Sequence, residues 1–239
     1  MNEQEFLPYL DAAFAENGVS AGEREKMLLT RFAVHLTEVN ETFNLTAITA
    51  PEKVALLHMT DVALAAAAFP PGARVLDVGC GGGFPTLPLA ILRPDLEVTA
   101  LDATAKKTAF VTQTAALLGL TNVTVCTGRA EDKAQKWRER FDVVTARAVA
   151  ALPVLAELCL PYVRVGGLFV AMKGKNAAAE LAEAAHALEV LGGQVEDVVQ
   201  TPLFAGEEQF ARAEIRVKKV RPTPPRYPRA FGQIKKKPL

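Results

Sequence analysis

Cysteine is scarce in this chain. Three stand among 239 residues, at positions 80, 126 and 159, without Cys-x-x-Cys or metal-ligand spacing, which argues against a disulfide framework and a zinc site. Long apolar runs are missing too. The greasiest stretch, residues 62–69, is mostly alanine and falls short of the ~20 residues of a membrane helix. The opening Met1-Asn2-Glu3-Gln4-Glu5 is acidic, unlike a secretory signal. A reduced, cytoplasmic protein without a membrane span or a metal is expected. Net charge is absent as well, with 27 basic against 27 acidic residues, but its distribution is uneven. Residues 216–239 carry nine Lys or Arg and no acid, leaving 18 basic against 27 acidic residues elsewhere. Such a segment either tracks a polyanion or is a solvated tail that keeps the protein soluble.

What the chain has is apolar patterning. Half of its residues are hydrophobic, enough for one large core. Apolar periodicity predicts helices over 3–16, 20–41 and 50–68, with Ser20/Glu23 and Thr49/Glu52 in the form of capping boxes. Residues 1–70 are therefore expected to form a helical cap. From residue 74, strands at 74–78, 97–101, 123–126, 141–146, 168–172, 195–199 and 210–220 alternate with helices at 85–92, 105–118, 133–138, 152–163 and 176–191. That alternation argues a parallel sheet covered on both faces, residues 71–220. No helix separates the last two strands, so they should pair antiparallel, with 201–209 between them. Residues 221–239, a basic tail with five prolines after Val220, read as non-globular.

The first strand runs into Asp77-Val78-Gly79-Cys80-Gly81-Gly82-Gly83-Phe84-Pro85. A dinucleotide fingerprint places its third glycine five residues after the first, where this chain has Phe84. The alternate glycines instead resemble the first motif of S-adenosylmethionine-dependent methyltransferases. Ligands of open α/β sheets bind beyond the carboxyl ends of the strands, and the residues there are the candidates. Gly79 and its neighbours admit main chain close to a ligand. Cys80 is a tempting nucleophile, but no base lies near it in sequence. Asp102 follows the second strand, where it either accepts the two ribose hydroxyls or caps a helix. Ala130 and Glu131 follow the third, placed to read an adenine edge or to meet a helix dipole. Arg147 follows the fourth, a partner for a carboxylate or a phosphate unless it makes a surface ion pair. Lys173 and Lys175 follow the fifth. His58 and Asp61, three apart on a helix, share a face as a structural or a catalytic pair. Asn44 reads as a turn or cap residue.

Taken in order, Asn44-Leu45-Thr46, His58-x-x-Asp61, the glycine run, Leu101-Asp102, Lys106-Lys107-x-x-Phe110, Gly128-Arg129-Ala130-Glu131, Ala146-Arg147-Ala148-Val149-Ala150, Lys173-Gly174 and the ending Tyr227-Pro228-Arg229 to Lys237-Pro238-Leu239 resemble the bacterial small-subunit ribosomal RNA guanine-N7 methyltransferase family, also called glucose-inhibited division protein B. The resemblance runs from Leu28 to the end. It implies a Rossmann-like class I methyltransferase with a seven-stranded, mostly parallel sheet, one strand reversed, behind the helical cap. It implies S-adenosyl-L-methionine as cofactor, held by Gly79, Phe84, Asp102, Ala103, Thr104, Ala130, Glu131 and Arg147. The substrate it implies is a guanine N7 in 16S ribosomal RNA or the small subunit, attacked in line without a general base by a monomeric enzyme. Arg147 is expected beside the reacting pair, and Lys173, Arg229, Lys235, Lys236 and Lys237 on RNA phosphates. The chain departs from the family pattern at Cys80, where a hydroxyl is usual, at Thr86, where glycine is common, and at Val62, where serine is usual. Methylation of a small molecule or protein, nicotinamide chemistry, and non-catalytic RNA binding are the competing classes.

Overall fold

The computed structural model describes all 239 residues. Helix α1 (Glu3–Glu16) starts on a capping box, with Asn2 accepting from the Glu5 amide and Glu5 from the Asn2 amide, and α2 (Glu23–Asn40) packs beside it. A third helical run begins as α3 (Pro51–Val54), widens into a π-helical stretch over Ala55–Thr60, returns as α4 (Asp61–Ala65) and tightens to 3-10 geometry at Ala66–Ala68. The two capping boxes expected from the sequence do not form. Gly22 and Ala50 hold the N-cap positions, and neither supplies a side chain.

The sheet follows: β1 (Arg74–Val78), α5 (Thr86–Leu92), β2 (Glu97–Asp102), α6 (Ala105–Leu117), β3 (Val123–Thr127), α7 (Ala130–Trp137), β4 (Phe141–Arg147), α8 (Leu152–Cys159), β5 (Val163–Lys173), α9 (Ala177–Leu191) and β6 (Gly193–Gln200). A hairpin of β7 (Leu203–Ala205) and β8 (Glu208–Phe210) then precedes β9 (Ala213–Lys219), and α10 (Phe231–Lys236) closes the chain. The seven strands are ordered β3-β2-β1-β4-β5-β9-β6. All neighbours are parallel except β9, which runs antiparallel to both β5 and β6. This is the Rossmann-like α/β sheet with one reversed strand that the resemblance implies, and its parallel strands and antiparallel last pair are those the alternation predicts. Its strand order turns back at β1, between β2 and β4, which opens a crevice at their carboxyl ends.

Apolar packing joins the N-terminal helices to the sheet. Phe6, Phe14 and Phe32 from the cap share one cluster with Phe84, Leu87, Phe110 and Val111. A second cluster, under α8 and α9, takes in Tyr227 and Ile234 from the last twenty residues. That corrects the reading of residues 221–239 as non-globular. Arg138 donates to the carbonyls of Thr223, Pro224 and Tyr227, and the Thr223 hydroxyl donates to the Leu191 carbonyl at the end of α9. Proline has no amide to satisfy, so a Pro-rich segment packs well as an extended strap whose carbonyls find donors on the body. The basic segment also begins inside the fold, since Arg216, Lys218 and Lys219 are residues of β9.

Candidate active site

The turn after β1 is held by main chain. The amides of Gly79 and Cys80 both donate to the Leu101 carbonyl, at 2.7 and 3.1 Å. Gly79 has φ of 80°, in the left-handed region where glycine carries no penalty. The Gly81 amide donates to Asp102 Oδ2 at 3.0 Å, and the Thr104 amide to Asp102 Oδ1 at 2.8 Å. Two donors thus aim the Asp102 carboxylate and leave a lone pair on each oxygen free.

Three cavities line the crevice. The first, about 200 Å³, has walls from Gly79, Asp102, Ala103, Gly128, Ala130 and Glu131. The Ala130 amide opens α7 and has no intrahelical acceptor, while its carbonyl accepts from the Tyr162 hydroxyl. The second, about 380 Å³, is bordered by Thr46, Gly79, Phe84, Asp102, Lys107 and Arg147. The third, about 740 Å³, lies off the ends of β4 and β5 beside Asp61, Arg147, Lys173, Glu180 and Arg212. The first two share Gly79, Asp102 and Val149. The second and third share four residues: His58, Arg147, Ala148 and Val149.

Arg147 organises that junction. Its Nη1 donates to the Leu57 carbonyl at 3.0 Å and to Asp61 Oδ2 at 3.3 Å, and its Nη2 meets His58 Nδ1 at 2.8 Å. The guanidinium lies over the Phe84 ring at 4.9 Å, and His58 stacks on the same ring at 4.1 Å. Nε and one hydrogen of Nη2 have no protein partner, so Arg147 keeps a two-donor fork for an anion or a carbonyl. Asp61 also takes Arg212 at 3.4 Å. Burial pushes its carboxyl up, and the two arginines pull it back. His58 is lowered from 6.5 to about 3 by burial and by the Arg147 charge, so the ring is neutral. His58 and Asp61 therefore do not bond to each other; both hold Arg147.

Two expected RNA contacts are turned inward. Lys173 donates to Glu180 Oε2 and to the Ala150 carbonyl, each at 2.7 Å. Arg229 clamps the fully buried Glu157 through Nε at 2.8 Å and Nη2 at 2.5 Å. In each pair the buried member, Lys173 in one and Glu157 in the other, needs the opposite charge beside it. Lys235, Lys236 and Lys237 are exposed. Cys80 is buried, and burial with Asp77 nearby pushes its thiol up, which removes it as a nucleophile. Thr86, the departure from glycine, donates its hydroxyl to Asp77 at 2.6 Å. Thr104 supplies its amide to Asp102 and is not a wall of the three cavities. Asn44 is exposed; Asn40 holds the loop instead. Sequence reasoning missed Val149, which borders all three cavities, and Phe231, which walls the first from the far end of the chain. An aromatic beside the basic tail was the one available signal for Phe231.

The profile of the family described as rRNA small subunit methyltransferase G matches residues 25–207. The chain belongs to this family. Among proteins named ribosomal RNA small subunit methyltransferase G, that of Lactobacillus acidophilus is 42% identical over 100% of both chains. That of an Exiguobacterium species is 45% identical over 100% of both, and that of Moorella thermoacetica 41% over 95% of this chain and 96% of its own. Membership makes the chain a methyltransferase of the small-subunit ribosomal RNA. Solved structures agree on the fold. The TYW2 protein of M. jannaschii, solved in complex with AdoMet, superposes with a TM-score of 0.56 at 15% identity, covering 68% of this chain and 76% of its own. A precorrin-6y C5,15-methyltransferase from Geobacter metallireducens gives 0.52 at 17% identity, over 74% and 92%. As an rRNA small subunit methyltransferase G family protein, the chain has Arg147 and Val149 standing where its cavities meet.

Proposed function

We propose that this protein methylates N7 of a guanine in 16S ribosomal RNA, with S-adenosylmethionine as the methyl donor. The residues present fit that donor. A ribose between the first two cavities would meet the two free lone pairs of the clamped Asp102. The adenine side would meet Glu131, the free Ala130 amide and Phe231, and the amino-acid side Gly79, Phe84 and the open fork of Arg147. When bound, S-adenosylmethionine supplies an electrophilic methyl group on a sulfonium.

The choice of N7 comes from the family resemblance, and one observation supports it. The four residues common to the second and third cavities offer no general base. His58 has its Nδ1 occupied by Arg147 and its basicity suppressed, Arg147 is a cation, and Ala148 and Val149 have no polar side chain. Guanine N7 has a lone pair and no proton to lose, so it needs no base. The work left to the protein is alignment, which lowers a barrier by ~7–11 kcal/mol when reacting atoms are well oriented, and a fixed field. Arg147 is suited to both tasks because Phe84, His58, Asp61 and Leu57 fix its position.

Labelled S-adenosylmethionine, the purified protein and small subunits from cells lacking it test the proposal. Nucleoside analysis should find the label in N7-methylguanosine. Label in any other nucleoside overturns the N7 reading.

A further inference from the structure

The loop joining α2 to the third helical run holds Thr46 with unusual care. The Asn40 side chain accepts from the amides of Leu45 and Thr46 at 2.7 and 3.0 Å and donates to the Thr46 carbonyl at 3.1 Å. The Thr46 hydroxyl is bound on two sides as well. It lies 2.9 Å from His58 Nε2, and the Ile48 amide donates to it at 3.0 Å.

The tautomer of His58 follows from its other neighbour. A guanidinium only donates, so the contact of Arg147 Nη2 with Nδ1 at 2.8 Å makes Nδ1 the acceptor. In the neutral ring the proton is then on Nε2, which donates to Thr46. Both acceptor positions of the Thr46 oxygen are therefore filled, by His58 and by Ile48. Its own O–H hydrogen has no protein acceptor. Thr46 borders the second cavity, and it touches His58, one of the four residues where that cavity meets the third. It is also the one residue the second cavity shares with a pocket of about 290 Å³ beside α2, so it stands as a partition with a hydroxyl at the reacting end.

We infer that Thr46 is a specificity residue whose hydroxyl donates to O6 of the target guanine while N7 faces the methyl group; this rests on the N7 reading above. The major-groove edge of guanine presents two acceptors, N7 and O6, whereas adenine presents N7 beside an amino donor. A hydroxyl free to accept would tolerate either base. A hydroxyl whose acceptor positions are filled by His58 and Ile48 admits guanine and sets donor against donor for adenine. The relay from Arg147 through His58 thus converts one fixed cation into a fixed donor direction at Thr46, 12 residues before His58 in the chain. Preorganised donors of this kind act where an oxygen gains charge or must be held, and a site built on a hydrogen bond discriminates strongly against a base that cannot make it.

The test combines a protein change with a substrate change, so that damage to folding cancels. Small subunits are reconstituted with guanosine or with 6-thioguanosine at the position the wild-type protein methylates, because sulfur accepts hydrogen bonds weakly. Wild-type protein and Thr46→Ser, which keep the hydroxyl, should methylate the guanosine subunits at least tenfold faster than the thio subunits. Thr46→Val should lose tenfold or more in kcat/KM on guanosine, discriminate less than twofold, and bind S-adenosylmethionine within twofold of wild type. Retained discrimination in Thr46→Val overturns the inference. A tenfold loss of cofactor affinity overturns it too, by placing the hydroxyl on the cofactor. A wild-type product other than N7-methylguanosine removes the underlying reading instead, and nucleoside analysis of the same reactions reports that separately.

Discussion

His58 is a histidine kept from doing what histidine usually does. Stacked on Phe84 and facing a guanidinium, it stays neutral down to about pH 3, while the unfolded chain takes up that proton near 6.5. Its contribution to stability is thus complete above pH 6.5 and is lost at about 1.4 kcal/mol per unit as pH falls toward 3. His58→Asn keeps an acceptor toward Arg147 but cannot titrate. Between pH 6.5 and 5, urea unfolding of the wild type should lose about 2 kcal/mol more than the variant; equal losses would show the ring protonates freely. Asp102 gives a second residue-scale test. Its carboxylate is aimed by Gly81 and Thr104 amides, so Asp102→Ala should weaken S-adenosylmethionine binding at least tenfold, about 1.4 kcal/mol. An unchanged dissociation constant by calorimetry removes the ribose assignment. Residue identity at strand ends was legible in the sequence because a βα repeat dictates which positions face the crevice. The partners of cations were not. Glu157 lies 72 residues from Arg229, and no local pattern announces a pairing that only the folded chain makes.

At the scale of elements, the C-terminal strap departs furthest from expectation. Composition reads as an unstructured polycation, yet Arg138, Glu157 and Leu191 tie it down, and Phe231 at the start of α10 walls the first cavity. Phe231→Ala should cost about tenfold in S-adenosylmethionine affinity, about 1.4 kcal/mol, without changing which nucleoside is methylated. Affinity within twofold of wild type by calorimetry would detach the strap from the cofactor. The sheet, by contrast, was readable in the count of its strands and their order along the chain, and β1 to β4 nearly to the residue. The ends of the later strands were not: β5 begins at Val163, within the expected helix 152–163, and the last strand is Ala213–Lys219 instead of 210–220. The hairpin of β7 and β8 escaped because strands of three residues are too short for alternation to register. The capping boxes at Ser20 and Thr49 failed because the pattern states which side chains can cap a helix and not where the helix begins, and these two begin after Gly22 and Ala50. The π-helical stretch over Ala55–Thr60 carries no sequence mark, although it contains His58.

For the molecule as a whole, the basic end is less of a tail than its charge suggests. Of its nine cations, Arg216 pairs with Glu214, Lys218 with Glu196, Lys219 is buried beside Leu160, and Arg229 is spent on Glu157. Lys235, Lys236 and Lys237 form no ion pair and stand in the open. Changing all three to Gln should reduce the log–log salt slope of binding to small subunits by up to ~2, at ~0.7 per lost phosphate contact. An unchanged slope would place RNA elsewhere on the surface. Removing residues 216–239 outright is a poor substitute for this test, since it takes part of β9 from between β5 and β6.

Segments from the first and last parts of the sequence reach the core, at Phe6 and Phe14 and at Tyr227 and Ile234, and that has a consequence for how the protein is made. Phe6, Phe14 and Phe32 leave the ribosome before Phe84 and Phe110 exist to cover them, so a nascent chain carries a sticky helical pair for the seconds that synthesis takes at ~5–20 residues per second. Phe231 is made long after Gly79 and Asp102, and the wall of the first cavity is complete only then. The first cavity thus stays open on one side until the ribosome has made Phe231.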